Sequence, residues 1–167
     1  MGAEEHRKKA VQNVRCAVIT VSDTRDKETD TSGKEIITIL KSHGHEVVRY
    51  DIVKDEPSQI GDVMRQCVES PDVQAVIFNG GTGVTARDNT IETLSSFSEK
   101  QLPGFGELFR MLSYEEIGAA AMLSRATAFI VEKKAVFSIP GSTGAVRLAT
   151  EKLIAPELGH LLYEANR

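Results

Sequence analysis

Between Asn79 and Glu92 the chain reads Asn-Gly-Gly-Thr-Gly-Val-Thr-Ala-Arg-Asp-Asn-Thr-Ile-Glu, a run able to bring an anion and a metal into one corner. Gly80, Gly81 and Gly83, with only Thr82 between them, remove almost every β-carbon. That opens φ > 0 and lets backbone N–H groups approach a ligand closely. Arg87 adds a fixed positive charge and Asp88 a negative one. Asn89 can cap a following helix, with Glu92 completing a capping box, which sets the positive end of that helix beside the loop. Two other places carry residues of the same chemical kind: Ser22-Asp23 after an apolar run, and Asp55 just before Pro57. Taken alone, paired glycines also read as a tight turn, Asp55 as a helix-capping acid and Ser22-Asp23 as an Asx turn.

Several better-defined chemistries fail on spacing. Gly33-Lys34 is no P-loop, because Glu28 stands where its first glycine belongs and Glu35 where Ser or Thr would bind the metal. Gly81-Thr82-Gly83-Val84-Thr85-Ala86 matches a dinucleotide fingerprint only formally, since the region 98–104 that should approach an acid-tipped strand reads as no strand. His6, His43, His45 and His160 lack zinc-site spacing and are expected on the surface or at caps. No Gly-x-Ser-x-Gly nucleophile elbow is present. Cys16 and Cys67 sit in apolar patterns and read as small buried hydrophobes.

Arg15 to Val21 predicts a first strand, buried along its middle, and Ala75 to Phe78 another, apolar enough to be covered on both faces. Asp30-Thr31-Ser32-Gly33 opens a helix with Ile36, Ile37, Ile39 and Leu40 on one face, stopped at Gly44. A strand over Val47 to Val53 follows, then a helix begun at Pro57 with Ile60, Val63, Met64, Cys67 and Val68 as its stripe. Short helical spacing at Ile91 and Leu94 precedes a helix from Pro103 bearing Phe105, Leu108, Phe109 and Leu112. Gly118 to Leu123 reads equally as helix or packed loop. Ala126 to Val131 and Ala135 to Ile139 predict an antiparallel hairpin. The loop Pro140-Gly141-Ser142-Thr143-Gly144 leads to a helix that Pro156 should break, with a last amphipathic helix beyond.

Strands alternating with helices call for a mostly parallel sheet covered on both faces, a three-layer α/β/α sandwich, with one antiparallel strand near an edge. Ligands bind such sheets beyond the carboxyl ends of the strands. Ser22-Asp23, Asp55, the segment from Gly80 to Asp88 and the Pro140-to-Gly144 loop all fall there. One domain is expected over 13–167, preceded by a flexible polar arm over 1–12 that contains the basic cluster Arg7-Lys8-Lys9. A net charge of −4 argues against a nucleic-acid or anionic-membrane surface. No apolar run is long enough to span a membrane, and Met1-Gly2-Ala3-Glu4 has no signal-peptide character, so a cytoplasmic location is expected.

Gly80-Gly81-Thr82-Gly83 with Arg87-Asp88, then Pro103-Gly104-Phe105-Gly106-Glu107, Leu123-Ser124-Arg125 and Ile139-Pro140-Gly141, resembles the MoaB/MogA family of molybdenum cofactor biosynthesis over roughly residues 13–163. The resemblance implies a domain that assembles as trimers or hexamers and binds molybdopterin. In active members it also implies Mg²⁺-dependent transfer of AMP from ATP to the pterin's terminal phosphate. Asp55 and Asp88 match the family's essential acids and are expected to be catalytic and to hold Mg²⁺. Gly80, Gly81, Thr82, Gly83 and Arg87 fall in its substrate-binding loop, joined by Pro140, Gly141 and Ser142. Ser22, Asp23, Ser124 and Arg125 match further contacts. Other enzymes of molybdenum cofactor biosynthesis are expected partners. Pro140-Gly141-Ser142-Thr143-Gly144-Ala145 lacks the proline that MogA-type members carry, so the chain resembles the MoaB branch, in which some members resemble binding or carrier proteins without turnover.

Overall fold

The computed structural model describes residues 2–167, leaving Met1 outside the described residues together with the side chains of Ala3 and His6. Six strands form one sheet in the order β2-β1-β3-β6-β5-β4. The strands β1 (Arg15–Val21), β2 (Glu46–Val53), β3 (Ala75–Asn79) and β6 (Lys134–Ile139) are parallel. Only β5 (Thr127–Val131) runs against them, and it pairs on its outer side with β4 (Lys100–Gln101). That two-residue strand lies where the sequence predicted none. It is short, polar and held by its partner strand, so it leaves no apolar period to read.

Alternation along the central strands divides the core into two layers. Cys16, Val18, Ala75 and Ile77 point to one side, where α2 (Thr31–Ser42), α5 (Pro103–Ile117), α6 (Thr143–Ala149) and α7 (Ala155–Ala165) supply Ile36, Leu40, Phe109, Val146 and Leu158. Ala17, Ile19, Val76 and Phe78 point to the other, against Ile60, Met64 and Cys67 of α3 (Pro57–Glu69) and Leu94 of α4 (Thr90–Ser95). Both cysteines are buried and free, as the pattern predicted, and burial pushes the Cys16 thiol up to about 12.

Three local expectations change. Asn89 precedes α4 but makes no side-chain cap; its amide donates to the Arg87 carbonyl, and Glu92 is drawn away to Arg125, so no capping box forms. Residues 118–123, ambiguous in sequence, form a 3-10 helix. Pro156 does not end the helix. Residues 150–154 form a π-turn in which the Ala155 N–H bonds the Thr150 carbonyl, and α7 resumes with Pro156 in its first turn. The wider turn absorbs the ring at the point where Pro156 offers no N–H. At the other end of the chain, α1 (Ala3–Lys8) lies near α7, with Arg7 paired to Glu157 at 2.8 Å.

Candidate active site at the strand carboxyl ends

The carboxyl ends of β1, β3 and β6 open on a cavity of about 470 Å³. Its floor is the glycine loop. Gly80 has φ +100°, and a β-carbon there would lie 2.2 Å from the Val21 carbonyl oxygen; Gly81 has φ +69°, and a β-carbon there would lie 2.1 Å from Thr90 Oγ1 and 2.8 Å from Asp55 Oδ2. Only glycine fits either place. Gly80 is fixed by its own N–H on the Ile139 carbonyl at 3.0 Å, and the loop's far side by Arg125, whose Nε donates to the Thr82 carbonyl at 3.2 Å. Gly80 to Gly83 and Pro140 to Ser142 line the cavity with Ser22, Ser124 and Asp88, while Phe109 and Ile117 of α5 and Leu123 give it an apolar wall.

Asp88 and Asp55 differ in setting. Asp88 Oδ2 accepts the Thr85 hydroxyl at 2.6 Å and the Thr85 N–H at 2.9 Å. Those bonds, led by the hydroxyl, hold its carboxyl below the usual carboxylate range. Asp55 is buried at the end of β2, accepting the Asn89 N–H on Oδ1 at 3.1 Å. Burial raises its pKa, the Asn89 N–H opposes that, and the charges of Asp88 and Asp23 raise it further. Beside Asp55, the fully buried Thr90 hydroxyl has no hydrogen-bond partner among the described residues.

The remaining residues singled out in the sequence occupy several positions around this centre. Asp23 turns toward Asp55, accepting its N–H on Oδ1 at 3.1 Å. Arg87 closes on Asp23 at 2.8 Å and Glu56 at 2.9 Å, outside the cavity lining. Arg125 likewise braces the loop from behind and pairs with Glu92. Ser22 Oγ accepts the N–H groups of Thr24 and Arg25, shaping the loop after β1. Ser142 Oγ caps α6 through the Ala145 N–H. The histidines serve structure: His43 Nδ1 lies 3.0 Å from the Ile39 carbonyl, His45 bridges the Val14 N–H and the Ala155 carbonyl, and His160 contacts Glu157, while the His6 side chain is outside the described residues.

The family described as "Probable molybdopterin binding domain" matches residues 17–160. The chain belongs to the MoaB/MogA family of molybdenum cofactor biosynthesis proteins, with a molybdopterin-binding domain. It is 52% identical to "Molybdenum cofactor biosynthesis protein B" of Bacillus cereus, covering 100% of this chain and 99% of that one. A crystal structure of a molybdenum cofactor biosynthesis protein B, also 52% identical, superimposes with a TM-score of 0.91 over 95% of this chain and 99% of the other. The tungsten cofactor synthesizing protein MoaB from Pyrococcus furiosus, 38% identical, gives 0.85 over 95% of this chain and 100% of its own. The sheet order and the antiparallel strand beside the edge are therefore those of a MoaB/MogA fold.

Within this MoaB/MogA domain, one charged residue of the cavity lining falls outside the motifs singled out in the sequence. Arg25 lies in the loop after β1. It lines the cavity and donates from Nη1 to the Gly141 carbonyl at 3.2 Å. A basic side chain in a short loop at a strand's carboxyl end was the available cue.

Proposed function

We propose that the protein is a Mg-ATP-dependent molybdopterin adenylyltransferase. An oxygen of the pterin's terminal phosphate attacks the α-phosphorus of ATP, the new P–O bond forms as the bond to the β-phosphate oxygen breaks, and pyrophosphate leaves. The observation that carries this reading is the placing of two carboxylates against one glycine cradle, Asp55 beside Gly81 and Asp88 beside Gly83. Transfer between phosphates depends on alignment and on spreading of charge, with little covalent help from the protein. Backbone N–H groups of the loop other than those of Gly80 and Gly83, which the Ile139 carbonyl and Asp88 hold, can donate to phosphate oxygens because few side chains shield them.

Among the described residues no three His, Cys, Asp or Glu side chains gather as a metal site. Mg²⁺ commonly takes one or two protein carboxylates and completes its shell with water and substrate phosphates. The Asp55 and Asp88 pair fits that demand, and the bound ion would neutralise charge on the phosphates of ATP. Asp55, whose ionised form burial disfavours, gains most from a neighbouring cation.

The exposed apolar residues Leu108, Met111, Tyr114 and Ile117 of α5, with Met122 and Leu123, support assembly with further copies of the chain as a trimer or hexamer. Ile117 and Leu123 belong to both this face and the cavity wall. No helix among the described residues is long and apolar enough to cross a membrane.

Purified protein incubated with molybdopterin, ATP and Mg²⁺ should release pyrophosphate and form the AMP–pterin. Tight pterin binding without turnover would instead mark a carrier of the MoaB branch, the reading favoured by Ser142-Thr143 after Pro140-Gly141. Absence of pterin binding would remove both.

A further inference from the structure

The glycine cradle has unlike ends. At its Gly83 end stands Asp88, whose Oδ2 would be 2.7 Å from a β-carbon on Gly83. At its Gly80 end the Pro140-Gly141 loop packs so closely that a β-carbon on Gly141 would lie 3.2 Å from the Gly80 Cα, and Arg25 holds that loop through the Gly141 carbonyl. Arg25 is the one Lys, Arg or His among the described residues lining the cavity, and Asp88 the one Asp or Glu. The other arginines near the loop are committed to carboxylates, Arg87 to Asp23 and Glu56, Arg125 to Glu92.

Arg25 is mounted to receive an anion. Its Nη1 lies 3.8 Å from the fully buried Asp30 carboxylate, which itself accepts the Thr20 and Tyr50 hydroxyls at 2.6 Å each and the Gly33 N–H at 3.0 Å. Asp30 is thus fixed by three donors from β1, β2 and α2, and it orients the guanidinium from behind. Ser32 Oγ donates to the same Gly141 carbonyl at 2.6 Å, so that oxygen already has a second donor. Nε and Nη2 of Arg25 have no hydrogen-bond partner among the described residues, and the side chain is 33% exposed. A planar fork with free donors in a half-buried site matches two phosphate oxygens at once.

The geometry points to Arg25 as the residue that binds the terminal phosphate monoester of the pterin, holding it at the Gly80 end of the cradle while ATP and its metal occupy the Asp55 and Asp88 end. This rests on the adenylyltransferase reading and adds to it an orientation for the two substrates. The division follows from charge: the carboxylate end repels a bare phosphate and needs a metal-complexed one, whereas the Arg25 end takes a phosphate without metal.

Calorimetric titration without ATP tests it, using molybdopterin and its dephosphorylated form against wild type, Arg25→Gln and Arg25→Lys, with Mg-ATP titrated separately. Wild type should prefer the phosphorylated pterin. Arg25→Gln should bind it about tenfold or more weakly, lose that preference, and bind dephosphorylated pterin and Mg-ATP as wild type does. Arg25→Lys, which keeps the charge and loses the fork, should fall between the two, and it carries the test if the glutamine variant fails to fold. An unchanged preference in the folded variants, or a loss of Mg-ATP affinity in place of pterin affinity, overturns the role of Arg25 and leaves the activity standing. Wild type that binds neither pterin overturns the activity and this inference together.

Discussion

Asp55 and Asp88 stand at one glycine loop with pKa values displaced in opposite directions, because one is buried and the other is held by donors. Burial lifts Asp55 above the usual 3.8, so on acidification it takes up its proton before Asp88, which the Thr85 bonds hold below that value. The signs for stability are opposite. Asp55 is least favourable when ionised, above its folded pKa, and that cost is relieved as pH falls; Asp88 contributes stability above 3.8 that is lost as pH falls through its lower folded pKa. In the free enzyme the acid limb of adenylyl transfer should therefore belong to Asp55 and lie above pH 3.8, and a kcat/KM profile with its limb below that value would contradict the assignment. Asp88→Ala should lower kcat by about a hundredfold or more while lowering the melting temperature only by the modest worth of its two Thr85 bonds, with the fold kept. Activity kept alongside a collapsed melting temperature would assign Asp88 to structure instead. Gly81→Val meets Thr90 Oγ1 and needs φ +69°, so it should abolish ligand binding and destabilise the fold by at least about 1–2 kcal/mol, read by denaturant titration.

At the scale of elements, the β5–β6 hairpin turns at Glu132 and Lys133, with φ of +46° and +62°. Neither residue type favours that conformation, and two positive φ values mark the turn that matches strand twist. Replacing the pair by Asn-Gly should stabilise the protein by about 1 kcal/mol, measured by urea unfolding. A neutral or negative effect would mean that these side chains contribute contacts of comparable worth. Helices α6 and α7 run on without a break in helical residues because the π-turn over residues 150–154 accommodates Pro156. On α7, Gly159 exchanges a backbone bond with the N-terminal segment: its carbonyl accepts the Val11 N–H at 3.0 Å, and a β-carbon would lie 2.2 Å from the Val11 carbonyl oxygen. Gly159→Ala should detach that segment, seen as faster amide exchange at Val11 with protection of the sheet retained.

For the whole molecule, the apolar surface of α5 and the following 3-10 helix sets the expected assembly. Met111 and Tyr114 are 55% and 62% exposed and take no part in the cavity lining. Changing both to Glu should shift a trimer or hexamer to monomer in light scattering after size exclusion, with the fold intact by circular dichroism. A wild-type monomer at micromolar concentration would exclude the assembly.

The sequence by itself determined the alternation of strands and helices, because β1 and β3 are apolar on both faces and α2 and α3 carry clear stripes. It also determined that glycines and acids meet at the strand ends, because a parallel sheet presents every βα loop on one edge. It could not show β4, whose two residues take their conformation from β5, nor the passage of the helix through Pro156, which depends on a turn type that leaves no compositional mark. Only the tertiary structure sorted the charges. Arg87, adjacent to Asp88 in sequence, spends its guanidinium on Asp23 and Glu56, whereas Arg25, 55 residues before Gly80 in the chain, stands in the cavity at the Gly80 end. Proximity along the chain fixes neither where a long side chain reaches nor which opposite charge it meets; the lateral order β2-β1-β3-β6 in the sheet decides both.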